Sequence, residues 1–346
     1  MVKKVNSFKE MREDIGNDSF EDIWEMIEQS QRVLMSLHPK PDGDSLGSCS
    51  AMKYVLEKMG KQVTLVSKDE LSEGLKGFSF VEEIEMEKDL TEMDFKEFDI
   101  LILLDHGSIN GYSKSLEEKL KDIIVINIDH HNINSHGGNL RYVDSKSPSA
   151  CSVLIEMFQK MGVKFDKELS LRLSVGVSTD TGFFSHGNSN QAFKDMAFLV
   201  ENGVDYHKDI FLKIAGSVSL KVKKLHGILL NNLKIEKFGG VNIAHSFVGK
   251  KDIEKLELEP SDVRLGIMVL QDIKDADIVL AIAELEDGAK GSFRSVDVDV
   301  SLFAKELGGG GHKAAAAFVL ENVSLEEAKK KVFEAIKKVG IHKIKE

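Results

Sequence analysis

The run Val33-Leu34-Met35-Ser36-Leu37, continued by His38-Pro39-Lys40-Pro41-Asp42-Gly43-Asp44, decides how the rest of the chain reads. Its first five residues are apolar enough for a buried strand. Helix formers from Ser48 to Met59 follow the polar segment. Strand, tight loop and helix is the arrangement in which open α/β sheets place ligands, at the carboxyl ends of their strands. Pro39 and Pro41, two of the four prolines, stiffen the loop by fixing φ and biasing the preceding residues to extended backbone. Gly43 permits either a sharp turn or a close backbone approach that a Cβ would obstruct. The expectation is a rigid loop carrying one imidazole and two carboxylates, with Asp42 and Asp44 on alternate sides, one for each of two neighbouring cations. Taken alone, the heptapeptide reads equally well as an ordinary polar turn; three later stretches decide between the two.

Each of those stretches is an acidic group just past an apolar run. Ile100-Leu101-Ile102-Leu103-Leu104 ends at Asp105, Ile123 to Ile128 ends at Asp129-His130-His131, and Leu169 to Thr179 ends at Asp180-Thr181-Gly182. Continuous rather than alternating apolarity suits strands covered on both faces, as in parallel sheets. In such a sheet the strand ends share one edge, so His38, Asp42, Asp44, Asp105, His130 and Asp180 converge from positions far apart in sequence. Four carboxylates and two imidazoles, with no thiolate, suit a pair of Mn²⁺-like ions, with Mg²⁺ and Co²⁺ as alternatives. A two-metal site needs a bridging carboxylate, and Asp105, the lone acid on its apolar strand, is the natural bridge. Such a clamp stabilises both oxygens of an in-line phosphoryl displacement.

The remaining sequence sets the frame. At 346 residues the chain is long enough for two cores. A formal net charge of −11 argues against a broad nucleic-acid-binding face. The first twenty residues are polar and no apolar run approaches a membrane span, which together read as a cytoplasmic protein with no membrane association. Cys49 and Cys151, the two cysteines, read as small buried thiols. Alternating strands and helices predict a parallel, doubly wound α/β domain over 1–203, a connection at 204–220, and a smaller α+β unit over 221–346. Predicted helices include 18–32, capped by Asp18 or Ser19, and 115–121, 149–161, 191–201, 219–233, 261–270 and 324–338.

The set His-x₃-Asp-x-Asp, strand-end Asp, Asp-His-His and Asp-Thr-Gly resembles the DHH phosphoesterase superfamily. In the second unit, Gly291-Ser292-Phe293-Arg294-Ser295 and Gly308-Gly309-Gly310-Gly311-His312 resemble the DHHA1 substrate-binding domain. The whole is similar to the bifunctional oligoribonuclease/pAp-phosphatase group called nanoRNases. The resemblance implies an active site in the cleft between the domains and a homodimer. It implies His38 and Asp42 on a first metal, Asp44, His130 and Asp180 on a second, and Asp105 bridging. It further implies His131 facing the scissile phosphate, Asp129 orienting a ligand, and Arg294, Ser295, Gly309, Gly310, Gly311 and His312 binding substrate. Very short RNA, pAp and linear dinucleotides such as pApA are the implied substrates, and long nucleic acid is not. His106 and Gly107 depart from the small polar residues usual after the strand-end Asp. Ala314 to Ala317 replace an Ala-Ala-Gly, so Ala316 is expected to narrow the approach to substrate. His136 and His186 read as loop histidines.

Two other functions compete. A DHH-type inorganic pyrophosphatase shares the metal motifs but needs a second domain rich in basic residues, which is lacking here. A non-catalytic, metal-dependent nucleotide-binding regulator would show a lost ligand, and none is lost.

Overall fold

The computed structural model describes residues 16–106, 116, 120, 123–131, 138–185, 190–216, 219–258, 262–263, 268–270 and 273–344. His136, His186, Gly107, Gly137 and most of the expected helices 115–121 and 261–270 lie outside the described residues. The chain divides into two compact units, Met1–Ser217 and Val218–Glu346.

In the first unit, β1 (Arg32–Ser36), β2 (Gln62–Ser67), β3 (Glu85–Met86), β4 (Ile100–Leu104), β5 (Ile124–Asp129) and β6 (Leu140–Val143) form one sheet in the order β3-β2-β1-β4-β5-β6. Every pairing is parallel. The continuous apolarity of β4 has a direct cause: Ile100, Ile102 and Leu104 enter the core on one face, Leu101 and Leu103 the core on the other. The larger of these cores lies under α1 (Phe20–Gln29), α2 (Gly43–Lys58), α3 (Ala150–Lys160), α4 (Lys167–Asp180) and α5 (Asn190–Glu201). Ser19 caps α1 through a reciprocal capping box with Asp22. The strand order reverses between β1 and β4, the switch point at which sheets of this kind open a crevice at their carboxyl edge. Residues 204–216, expected as a connection, contain the helical turns Tyr206–Phe211 and Leu212–Ile214, with Val204 and Ile210 buried in the first unit's core.

The second unit is a mixed sheet of β7 (Lys234–Phe238), β8 (Val241–Val248), β9 (Ile278–Leu285), β10 (Gly288–Ser295), β11 (Gly310–His312) and β12 (Ala315–Glu321). The order is β11-β12-β10-β9-β8-β7, antiparallel except for the β8/β9 pair. The helices named for this unit are α6 (Leu220–Asn231), α7 (Lys250–Lys255), α8 (Ser301–Glu306) and α9 (Leu325–Val339). One face carries Phe293, Phe303, Phe318, Val332 and Ile336, and the other packs Leu225 and Leu229 of α6. Among the described residues no helix is long and apolar enough to cross a membrane.

Candidate metal centre

The carboxyl ends of β1, β4 and β5 lie at the switch point, and each delivers a polar group there. β4 ends at Asp105, whose φ of +60° puts it in the left-handed region that aspartate tolerates better than most side chains. Its N–H donates to the Ile128 carbonyl, tying it to β5. Asp129 closes β5, fully buried.

The sequence placed Asp42 and Asp44 on a loop ahead of a helix at Ser48. The helix begins instead at Gly43, with Asp42 as its N-cap accepting from the backbone of Asp44 and Ser45. Asp44 therefore sits in the first turn, wholly buried, and its two oxygens accept from Ala150 N at 2.6 Å and Cys151 N at 3.0 Å. The positive end of α3 thus positions this carboxylate. Asp180 also corrects the sequence reading. It lies past no strand; Leu169 to Thr179 is helix, and Asp180 is the last residue of α4. Helices α2 and α4 cross closely because they lack Cβ atoms where they touch. A Cβ on Gly43 would overlap the Thr179 side chain, and one on Gly176 would overlap Asp44 Oδ1 and Cys151 Sγ. Of the two roles open to Gly43, close approach is the one realised.

Three overlapping groupings of possible ligands result among the described residues; one is Asp105, Asp129, His130 and His131, and the other two, which meet at Asp105, hold the six expected residues. His38 Nε2 lies 3.5 Å from Asp42 Oδ1 and 3.5 Å from Asp105 Oδ2. His130 Nε2 lies 3.2 Å from Asp180 Oδ2, 3.4 Å from Asp105 Oδ1 and 3.8 Å from Asp44 Oδ2. The two oxygens of Asp105 face different clusters. Each histidine turns its Nδ1 to a backbone carbonyl, His38 to Pro39 at 2.9 Å and His130 to Ser147 at 3.3 Å. That hydrogen bond sets the tautomer and leaves Nε2 as the inward ligand atom. The structure thus brings together all six residues expected to hold metal, as the groupings His38/Asp42/Asp105 and Asp44/His130/Asp180.

The electrostatics require positive charge here. Burial alone would lower both histidines, but the Asp105 and Asp42 hydrogen bonds raise His38 to about 11. Asp105, Asp44 and Asp180 raise His130 to about 10. Asp180 is pushed up to about 6 by burial and by the neighbouring carboxylates, against the pull of His130. Asp44 is raised by burial and by Asp105 and Asp180. Asp105 Oδ1 and His130 Nε2 are buried without a hydrogen-bond partner. Hard oxygen and imidazole donors with unsatisfied inward atoms fit divalent cations.

Asp129 stands behind this cluster. Its Oδ1 accepts from the backbone of His130 at 2.7 Å and of His131 at 3.1 Å, and from His131 Nδ1 at 2.8 Å. That last bond raises the His131 pKa and holds its ring, which is 38% exposed. His106 is half-buried, donates Nδ1–H to the Leu104 carbonyl at 2.9 Å, and is lowered to about 4 by desolvation of its ring.

The expected substrate residues of the second unit divide. Arg294 is half-buried, and Nη1 donates to the Phe293 carbonyl at 2.8 Å. Ser295 does not offer its hydroxyl outward: Oγ donates to the Asp277 carbonyl at 2.7 Å and accepts from Val298 N at 2.9 Å. The Gly309 N–H donates to the Ala304 carbonyl at 2.8 Å, so it does not reach for an anion. Gly309 and Gly311 are glycine because a Cβ would overlap or crowd the β12 backbone, whereas Gly310 borders open space. His312 pairs with Ala315 across β11 and β12. Ala316 points into the core beside Phe293 and Phe318, so its methyl does not narrow the face that bears Arg294. The positioning groups that sequence reasoning missed are the α3 N-terminus and Gly176. The spacing Gly43-x₃-Gly47 was the available signal for a close helix crossing.

Comparison with known proteins adds the lineage. The profile of the DHH family, N-terminal domain, matches residues 32–177, and that of the DHHA1 domain matches 240–339. The bifunctional oligoribonuclease and PAP phosphatase NrnA of Thermus thermophilus is 25% identical over 310 residues, covering 88% of this chain and 89% of that protein. A probable bifunctional oligoribonuclease and PAP phosphatase NrnA of Streptococcus mutans is 24% identical over 300 residues, covering 86% of this chain and 92% of that protein. A crystal structure of an exopolyphosphatase-related protein from Bacteroides fragilis superposes with a TM-score of 0.82 at 23% identity, over 92% of this chain and 95% of that one.

Proposed function

The chain belongs to the DHH/DHHA1 family, and from that premise we propose that it is a two-metal phosphoesterase acting on nucleotides. The preferred substrates are very short RNA and linear dinucleotides of the pApA type, released as 5′-mononucleotides, with pAp as a second, phosphatase substrate. The single observation that carries this is the pair of carboxylate–imidazole clusters meeting at Asp105, one oxygen to each. His38 and Asp42 would hold one cation, Asp44, His130 and Asp180 the other, with Asp105 between them; Mn²⁺ is the ion the donor set favours. When bound, such ions supply Lewis-acid stabilisation of the oxygens around the phosphorus. The protein's own part falls to His131. With Nδ1 committed to Asp129, its Nε2 is free to donate to a phosphate oxygen or to protonate the departing alkoxide. Arg294 offers a guanidinium fork to a second phosphate contact, with Gly310, Gly311 and His312 as its neighbours in the binding set. Two NrnA relatives of nearly the same length, named for oligoribonuclease and PAP phosphatase activity, support this choice of substrates.

The test is purified protein with Mn²⁺ against pAp, pApA, a two- to five-residue RNA series, cyclic dinucleotides and pyrophosphate. Mononucleotide release from pApA and short RNA is expected, abolished by a chelator and restored by Mn²⁺. Hydrolysis of pyrophosphate alone would replace this function with that of a pyrophosphatase. Full activity in metal-stripped protein would remove the two-metal assignment.

A further inference from the structure

Asp180 is the last residue of α4, and helix ends are where backbone frays most readily. A carboxylate grouped there with Asp44 and His130 needs its helix end fixed by something beyond the helix. The turn that follows is unusual. Gly182, Phe183 and Phe184 come one after another at φ of +55°, +57° and +66°. Glycine enters this left-handed region freely, whereas two adjacent phenylalanines are outliers that the surroundings must impose. The turn folds back onto α4: Phe183 N–H donates to the Ser178 carbonyl at 2.7 Å and Gly182 N–H to the Thr179 carbonyl at 3.0 Å. Thr181 is buried. Its Oγ1 donates to the Val177 carbonyl at 2.7 Å and accepts from Phe184 N at 3.2 Å.

The two rings are held from outside the turn. Phe184 stacks on Phe193 of α5, with centroids 5.0 Å apart and planes 18° apart, and meets Tyr206 at 5.7 Å. Phe183 meets Phe211 edge-on at 5.8 Å. Aromatic pairs contribute beyond the area they bury, and three of them are of the same size as the backbone cost of two left-handed phenylalanines. The turn is therefore finely balanced, closed by its ring contacts. Glycines would permit this turn but would not fix it.

We propose that Phe183 and Phe184 are positioning residues for Asp180: clamped by Phe193, Tyr206 and Phe211, their rings hold the left-handed turn closed and keep the end of α4 from fraying. That Asp180 holds a cation rests on the function proposed above. The aromatic lock on the helix end rests on the turn and its ring contacts alone.

Phe184→Leu keeps the bulk and the left-handed cost but loses both ring contacts. Phe193→Ala removes one contact from a position 56% exposed, outside the turn. In metal-free protein, hydrogen–deuterium exchange of the Phe183 and Gly182 amides should quicken about five- to tenfold in either variant, the loss of at least one ring pair, with the middle of α4 unchanged. Phe184→Tyr, which keeps the ring, should stay within about twofold of wild type. Titrated with Mn²⁺, Phe184→Leu should take up one ion as wild type does and the other about five- to tenfold more weakly, so that excess Mn²⁺ restores its kcat on pApA. Unchanged exchange in folded variants overturns the lock, as does exchange raised along the whole of α4, which would make the rings general stabilisers. Faster exchange at the turn with both Mn²⁺ affinities unchanged overturns the positioning of Asp180. If wild type takes up no Mn²⁺ while the exchange behaves as expected, the lock stands and the two-metal function falls.

Discussion

Asp105 and His131 carry different burdens. Asp105 belongs to both clusters, so Asp105→Ala removes a donor from each and leaves His38 and His130 without a common counter-charge. Equilibrium Mn²⁺ binding should fall from two ions per chain to fewer than one, and turnover of pApA should fall with it. His131 is held from behind by Asp129; it stands in a third grouping with Asp105, Asp129 and His130 but in neither of the two proposed to hold the cations. His131→Ala should therefore keep its Mn²⁺ stoichiometry while kcat drops about 10²- to 10⁴-fold, the usual range for a positioned general acid, with KM within a fewfold. Loss of Mn²⁺ in His131→Ala would make this residue a ligand rather than a proton donor. His106 was a departure without a role in the sequence; in the structure it is a half-buried imidazole just past β4 beside His38, its pKa lowered by desolvation.

Among the elements, α4 has the most to position, since it brings Asp180 to the site by crossing α2 at Gly43 and Gly176. Its start is anchored by Asp166, which accepts from Leu169 N at 3.0 Å, from Tyr54 at 2.8 Å and from Lys58 at 2.6 Å. Burial opposes ionisation of Asp166, but these donors prevail and bring its pKa down to about 2. A carboxyl whose folded pKa lies below its unfolded value contributes stability above the unfolded pKa and loses it as pH falls through the folded one. Asp166→Ala should thus be destabilising by about 1 kcal/mol at pH 7, nearly all from the lost N-cap. The exposed Lys58 pair adds little after solvent screening. Urea melts at pH 7, 4 and 2 should show the deficit intact down to about pH 4 and shrinking towards pH 2. An equal deficit at pH 2 and pH 7 would mean that Asp166 acts through packing rather than through its charge.

For the whole molecule, charge sets the expected substrate length. A net charge of −11 means that phosphates beyond the first few meet repulsion rather than counterion-release gain. Phe193 and Phe211, the exposed aromatic side chains among the described residues, pack against Phe184 and Phe183 in a local cluster rather than along a path for successive bases. The proposed function then predicts kcat/KM highest for di- to tetranucleotides with a free 5′ end, falling with length, and uncyclised pApA preferred over its cyclic parent. Initial rates on 5′-labelled RNAs of 2, 3, 5, 7, 12 and 24 nucleotides at fixed salt and Mn²⁺ decide this. Rates that hold level or rise with length would point to an extended nucleic-acid path and an exonuclease instead.

Local chemistry written in the chain was enough to predict a parallel α/β unit, because strands buried on both faces must be apolar at every position, as Ile100 to Leu104 are. It was enough to nominate His38, Asp42, Asp44, Asp105, His130 and Asp180, because charged groups ending apolar runs must gather at one sheet edge. It did not reveal that Asp180 rides on a helix: a run buried on nearly every side loses the periodicity that separates helix from strand. Nor could it divide Ser292 from Ser295. Both are serines on one short strand, and only the tertiary structure decided which neighbours each hydroxyl meets. Ser295 finds a carbonyl and an N–H, whereas Ser292 is flanked in register by Ala281 and Ala317, whose side chains carry no polar atom.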